Sequence, residues 1–223
     1  MAVAVLVEAE PPGIGEAMRA VITPRERELL AQAIARVEQT TAGEIVAVVL
    51  RRSAHYGAYR VAFSATIALL AVTIAQLCFP RVNAVELLGA QFLLAILVGW
   101  LSGWPLLLRL IVPSSEQQRA VNERAKVLFI ELGVTETLER SGVLILLSAF
   151  ERRVEILGDR GIHEHLGQDA WRAIVMKLTS AIASGKAFEG LSAIIEQLGT
   201  SLSERFPARS ADTNELSNQV VTD

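Results

Sequence analysis

The residue types in this chain that are suited to chemistry fall in three places. Glu44 opens an apolar run, Glu44–Leu50 (EIVAVVL). A carboxylate at a strand end can bind a cation, or more simply sit in solvent or accept a backbone N–H. Arg140 precedes a second apolar run, Gly142–Ser148, and Glu151, Arg152 and Arg153 follow it. Adjacent arginines suit a phosphate or a carboxylate, although an ordinary charged turn has the same composition. Asp159, Arg160 and His163 come next. An aspartate four residues from a histidine can orient the ring for acid–base work or for a metal. No nucleophile or second base accompanies this pair, and Asp159 capping a turn with His163 on a surface helix end explains the spacing equally. His163 and His165 stand two apart, so on a helix they point to different sides. Glu44, Arg140, Glu151, Asp159, Arg160 and His163 therefore form a candidate binding rim, with no catalytic set and no metal set. The segment Gly13-Ile14-Gly15-Glu16-Ala17-Met18 follows no strand and lacks the third glycine of a dinucleotide fingerprint.

The elements that must position these residues are interrupted by strongly apolar sequence. Val61–Phe79 and Leu87–Leu108 carry no charge, and only Pro80–Glu86 separates them. About 20 apolar helical residues span a bilayer core of about 30 Å. The two stretches together predict a transmembrane helical hairpin whose ends return to the same side. The mean hydropathy of +0.40 follows from it. About 170 polar, patterned residues remain, enough for one domain with a core. Arg51, Arg52 and Arg60 precede the hairpin, Arg109 and Arg119 follow it, and the loop holds only Arg81. That bias puts both polar parts in the cytoplasm. A formal charge of −3 on 223 residues argues against a nucleic-acid surface, which needs a basic stripe. The single cysteine, Cys78, lies at the end of the first apolar stretch and cannot form an internal disulfide.

Before the hairpin, Thr23-Pro24-Arg25-Glu26 predicts a helix start with a capping box, and the helix ends near Thr40–Gly43. After it, Ser114 with Gln117 predicts another capping box and a helix to about Gly133. Gly142–Ser148 and Arg153–Leu157 predict an antiparallel pair, the second with one solvated face. Ile162–Leu166 predicts a short helix, Gln168 or Asp169 opens a longer one that Ser184-Gly185-Lys186 breaks, and a last helix ends at Phe206-Pro207. The strand before the hairpin cannot stand alone, so it is expected to pair with Gly142–Ser148. Ala95, Gly99 and Gly103 present a small-residue face, read here as packing within the hairpin against Ala68, Ala71 and Ala75.

Thr40-Thr41-Ala42-Gly43-Glu44-Ile45-Val46, Arg140-Ser141-Gly142-Val143-Leu144-Ile145, Glu151-Arg152-Arg153-Val154-Glu155-Ile156, Asp159-Arg160-Gly161-Ile162, Trp171 and Phe206-Pro207 together resemble the TPM domain. The similarity is to its uncharacterised bacterial inner-membrane branch and covers roughly 23–207. It implies an α/β fold, a small mixed sheet flanked by helices, here interrupted by the hairpin. It also implies activities that range from acid phosphatase and calcium binding to assembly or receptor-accessory roles. Many members carry an acid just before the Gly-Val-Leu strand and another near the first helix. Here those places read Arg140-Ser141 and Ala20-Val21-Ile22-Thr23, so no metal ligand carries over.

The sequence thus predicts a flexible arm at 1–22, a TPM-like domain in two parts at 23–57 and 113–207, a hairpin at 58–112 and a disordered tail at 208–223. It predicts a multi-pass protein of the bacterial inner membrane whose cytoplasmic domain binds, assembles or assists without catalysis. Its partners are the lipid bilayer and another membrane or cytoplasmic protein, with an oligomer also open, and no cofactor is needed. The alternative is a phosphatase-like hydrolase dependent on calcium or magnesium.

Overall fold

The computed structural model describes residues 3–4, 22–208 and 215–222. The rest of the expected N-terminal arm lies outside them. The chain divides into two compact units, Met1–Ser53 with Gln118–Asp223, and Ala54–Gln117.

The first unit is a mixed α/β structure. Its elements are β1 (Val3–Ala4), α1 (Pro24–Glu38), β2 (Ile45–Leu50), most of α5 (Ser114–Glu131), a short 3-10 turn at Val134–Glu136, β3 (Val143–Ser148), β4 (Arg153–Gly158), α6 (Arg160–Ala183), α7 (Ala187–Arg205) and β5 (Val221–Thr222). The sheet order is β1-β4-β3-β2-β5. β2 and β3 run parallel in register from Ile45 opposite Val143 to Leu50 opposite Ser148. β3 and β4 form the expected antiparallel pair, with Ser148 opposite Arg153. The strand before the apolar segment and the strand after it therefore share one sheet, as the instability of a lone strand requires.

Both faces of β2 and β3 are covered, which is why their sequences read as continuous apolar runs. Ile45, Ala47, Ile145, Leu147 and Ile156 pack with Leu30 and Ile34 of α1, Trp171 and Leu178 of α6 and Leu198 of α7. Val46, Val48, Leu144, Leu146 and Leu157 pack on the opposite face with Val121, Ala125, Leu128 and Phe129 of α5. α1 opens with the expected capping box. Thr23 Oγ1 accepts the Glu26 N–H at 3.2 Å, and the Thr23 N–H donates to Glu26 Oε2 at 2.7 Å. Gly142 is required by space: a Cβ there would sit 2.4 Å from the Val134 carbonyl oxygen.

Four details differ from the sequence expectation. α6 is one continuous helix rather than a short helix and a long one. Gly167 costs a helix only about 1 kcal/mol, less than the burial of Trp171, Ile174 and Leu178 returns. The face of β4 expected to meet solvent is covered, and Glu155 is only 2% exposed. The tail, expected to be disordered, is ordered over residues 215–222. Val221 and Thr222 pair with Val48 and Val49 of β2, and Arg27 Nη1 donates to Thr222 Oγ1 at 3.1 Å. Lastly, α5 already includes Ser114, and the Gln117 side chain donates backward to the Arg109 and Val112 carbonyls instead of closing a capping box.

The second unit holds α2 (Gly57–Cys78), α3 (Ala84–Leu101) and α4 (Pro105–Ile111). α2 is long and apolar enough to cross a membrane, and only 11% of its apolar window is buried. The second stretch is not one straight helix: α3 and α4 meet at an angle of 105°. Pro105 lacks an N–H and disfavours helical backbone at the residue before it, and Trp104 is accordingly extended, with ψ 133°. Gly99 faces Ser64 of α2, 3.6 Å from where its Cβ would lie. Gly103 lies outside α3, against the Arg60 guanidinium, which donates to the Gly99 carbonyl at 2.9 Å. Ala68 of α2 is 1% exposed. At Gly99 and Gly103 the small residues pack within the unit.

Candidate functional site

Parallel pairing of β2 and β3 brings their starts together, and antiparallel β4 ends beside them. Glu44 therefore stands beside the start of β3, and Asp159 flanks that same start from the other side. The Glu44 carbonyl accepts the Val143 N–H at 2.8 Å, and the Gly142 carbonyl accepts the Asp159 N–H at 2.9 Å. Ser141 Oγ donates to the Ala42 carbonyl at 2.9 Å. Asp159 caps α6, accepting the Arg160 N–H at 2.7 Å, and its other oxygen lies 3.3 Å from Arg140 Nη1. Arg140 itself adopts a left-handed backbone, φ 55°. Its carbonyl accepts the Gly161 N–H at 3.1 Å, which ties the strand entry to the start of α6.

Of the rim predicted from sequence, Glu44, Arg140, Asp159 and Arg160 gather at this end. His163 lies on the first turn of α6, and its side chain falls outside the described residues. Glu151 does not gather with them. It sits in the turn between β3 and β4, at the far end of a six-residue strand.

Sequence reasoning missed Glu38, the last residue of α1. Its Oε1 accepts the Ile45 N–H at 3.0 Å, while Glu44 Oε1 accepts the Glu215 N–H at 3.1 Å. Burial raises the pKa of Glu38 to about 8, and the neighbouring Glu44 carboxyl adds to the shift. Burial also raises that of Glu44, and Glu215 adds to it. Burial is the main cause at both carboxyls, and each is pushed toward its protonated form. A signal for this existed: an acid at a helix C-terminus opposes the helix dipole and needs a reason. The sign follows from the raised value. Stability from this carboxyl is complete below about 4.5 and is lost as pH rises through about 8. Because Glu38 is only half-buried, solvent screening reduces the effect to about 1 kcal/mol. Glu38→Gln is therefore expected to flatten the fall in melting temperature between pH 5 and pH 9. Superimposable wild-type and variant profiles would show that Glu38 does not titrate in that range.

At the opposite end of the sheet lies a second polar cluster. The Ser53 N–H donates to both oxygens of Glu151, at 3.1 and 3.2 Å, the Ser148 hydroxyl donates to Glu151 Oε2, and the Ser53 hydroxyl donates to Ser148 Oγ at 2.8 Å. Glu151 is 1% exposed and Ser148 is fully buried. Two donors converge on the buried carboxylate, an arrangement that clamps residues 51–53 to the β3–β4 turn. A third buried acid, Glu155 on β4, accepts from Asn122 Nδ2 at 3.1 Å and from Gln118 Nε2 at 3.4 Å, both on α5.

Among the described residues, no three His, Cys, Asp or Glu side chains converge as a metal site. An open groove of about 380 Å³ between α1 and α7 is lined by Arg36, Thr40, Glu196 and Ser203 among others, and Glu38, Glu44, Glu151 and Glu155 are not part of its lining.

This geometry is that of an α/β domain, a mixed sheet with helices on both faces and carboxylates at its two ends. Residues 107–201 match the family model described as TPM domain. A solved structure titled "NMR structure of BA42 protein from the psychrophilic bacteria Bizionia argentinensis sp. nov." is similar at 20% identity, with a TM-score of 0.57. The likeness covers 92% of this chain and 97% of that one, and it shows a shared fold. No curated protein matches the sequence.

Proposed function

We propose that this chain is an integral protein of the bacterial inner membrane whose TPM-like domain, on the cytoplasmic side, is a binding or assembly module rather than a catalyst. The observation that carries the proposal is α2. Val61, Leu69, Leu70, Ile74 and Leu77 are each more than half exposed, around a helix of 22 residues. A helix apolar on every side belongs in a protein core or in lipid, and this one is not in the core.

Topology supports a return crossing. β2 precedes α2 and pairs with β3, which follows α4, so both strands occupy one compartment. A chain that crosses once at α2 must cross back, and α3 with α4 is the apolar sequence available, bent at 102–104. The binding role rests on the way the buried Glu151 and Glu155 carboxylates are held by backbone N–H, hydroxyl and amide donors within the domain. That arrangement holds loops in place and leaves outward-facing side chains for a partner.

The full chain is expected to remain in the membrane pellet after an alkaline carbonate wash. Protease added to inverted vesicles, and not to intact spheroplasts, is expected to cleave the α/β unit. Recovery of the chain in the carbonate supernatant would remove the proposal, and cleavage from the outer face would reverse the orientation. Mild-detergent affinity purification read by mass spectrometry tests the binding role. Turnover of a phosphomonoester by the purified chain with calcium or magnesium would replace that role with catalysis.

A further inference from the structure

Within the second unit, α3 ends at a level that α2 marks. The Arg60 guanidinium, on the first turn of α2, donates to the Gly99 carbonyl at 2.9 Å, and the Ser102 hydroxyl donates to the same oxygen at 3.0 Å. A cation at a helix C-terminus satisfies a carbonyl left without an intrahelical partner and complements the helix dipole. The α-helical ladder stops there. The Gly103 N–H donates to the Trp100 carbonyl and the Trp104 N–H to the Leu101 carbonyl, each at 3.1 Å. The 18 residues of α3 measure about 27 Å, close to a bilayer core of about 30 Å. α3 alone therefore returns the chain from the far end of α2 to its first turn. α4 lies beyond that point and leaves α3 at 105°, close to perpendicular. Burial divides α4 and its cap into two sides. Leu106, Leu107 and Leu110 are exposed, whereas Leu108 and Val112 are buried, as helical spacing arranges them. At the corner Trp100 and Trp104 are both exposed and meet edge to face, with ring centroids 6.3 Å apart.

We infer that α4, with the Trp100–Trp104 pair, is an interfacial anchor that lies along the bilayer surface with Leu106, Leu107 and Leu110 in lipid, and that α3 alone is the return span. The inference rests on the membrane reading above and deepens it. Three observations, all internal to the second unit, name interfacial lipid as the occupant. The first is Arg60. A guanidinium is costly at the bilayer centre and reaches for its edge, so the level of Gly99 and Gly103 that Arg60 holds is an edge. The second is the exposed tryptophan pair at that level, because indole rings collect where hydrocarbon meets headgroups. The third is the angle. A helix nearly perpendicular to a span runs in the membrane plane, where a stripe of leucines sinks about 5–10 Å into the headgroup–acyl boundary.

The test uses the full chain in vesicles of phosphatidylcholine and phosphatidylglycerol. A nitroxide is placed on Leu106→Cys, Leu107→Cys or Leu110→Cys, each in a Cys78→Ser background. Power saturation against oxygen and a water-soluble nickel chelate reads the depth of each label. The labels at 106 and 110 are expected at the same depth to within about 2 Å, and about 5–10 Å inside the interface. A step of about 6 Å between them, four residues of helical rise along the membrane normal, would make α4 part of the span and overturn the inference. Labels reached by nickel alone would place the leucines in water and overturn it as well. Spin–spin broadening that disappears on dilution with unlabelled chain would put a second copy against them, with the same consequence. Quenching by brominated lipid provides a second measurement without labels. The fluorescence lost in Trp104→Phe is expected to be the part quenched best by bromines close to the headgroup; best quenching by bromines at the acyl end would overturn the anchor. The carbonate wash keeps the underlying reading separate. Every variant stays in the pellet if the chain is integral to the membrane, whatever the depths, and release of the wild type removes that reading first.

Discussion

Glu151→Ala is expected to destabilise the α/β unit by about 3 kcal/mol, with the damage concentrated where residues 51–53 meet the β3–β4 turn. Glu151 is 1% exposed and is the acceptor for both the Ser53 N–H and the Ser148 hydroxyl. Truncation leaves two buried donors without partners, at about 1–3 kcal/mol each, and opens a cavity besides. A loss of this size is a large fraction of the total stability of an ordinary domain, about 5–15 kcal/mol. Glu151→Gln keeps one acceptor oxygen and places an NH2 group against the remaining donor, so an intermediate loss is expected. Ser53→Ala removes only the outer hydroxyl of the chain and leaves its N–H in place, so it is expected to cost least. Thermal melting of the full chain in detergent ranks the three. Hydrogen exchange locates the effect, with the amides of Ser53, Ala149 and Phe150 opening first in Glu151→Ala. A melting temperature for Glu151→Ala within 1 °C of wild type, on the order of the noise for a change of a few tenths of a kcal/mol, would show that the cluster holds nothing together.

That cluster was half visible in the sequence. Glu151 stood out as a charged residue in a turn, and its local context suggested an outward-facing rim. Its burial depends on Ser53, a residue far away in the chain, and no local pattern reports such a contact. Glu44 was likewise read at a strand end, where it is. Its partners Glu38 and Glu215 come from the end of a helix and from a tail sparse in apolar residues. The fold itself was more legible, because continuous apolar runs at 45–50 and 143–148 demand cover on both faces and a lone strand demands a partner. Where hydropathy was the strongest signal it also concealed something. Pro105 sits inside the second apolar stretch and turns the chain at Trp104, a local backbone rule that the count of apolar residues overrode. The reading of β4 as half-solvated failed for a related reason. Arg153 and Glu155 alternate with apolar residues as on an exposed face, yet Gln118 and Asn122, four apart on α5, supply polar cover.

Glu155 therefore makes the stability of the unit depend on pH near neutrality. Burial raises its pKa from 4.5 to about 7, against the downward pull of the Asn122 hydrogen bond and of the Lys126 and Arg153 charges. Those two cations, with Gln118 and Asn122, are the groups that face it from α5 and β4. For a carboxyl whose folded value is raised, the stabilising contribution is complete below about 4.5 and is lost as pH climbs to about 7. At about 1.4 kcal/mol per unit, the full swing is about 3 kcal/mol. Glu155→Gln keeps the shape and an acceptor oxygen for Asn122 but cannot ionise. The variant is expected to gain about 3 kcal/mol on the wild type between pH 5 and pH 8, whatever its absolute stability at either pH. Subtracting the two curves cancels the contribution of the Glu38–Glu44 pair, which both chains share. Urea denaturation of both chains at pH 5, 6, 7 and 8 measures the difference directly. If it stays constant across that range, Glu155 remains charged throughout, and Lys126 and Arg153 outweigh burial at the α5–β4 seam.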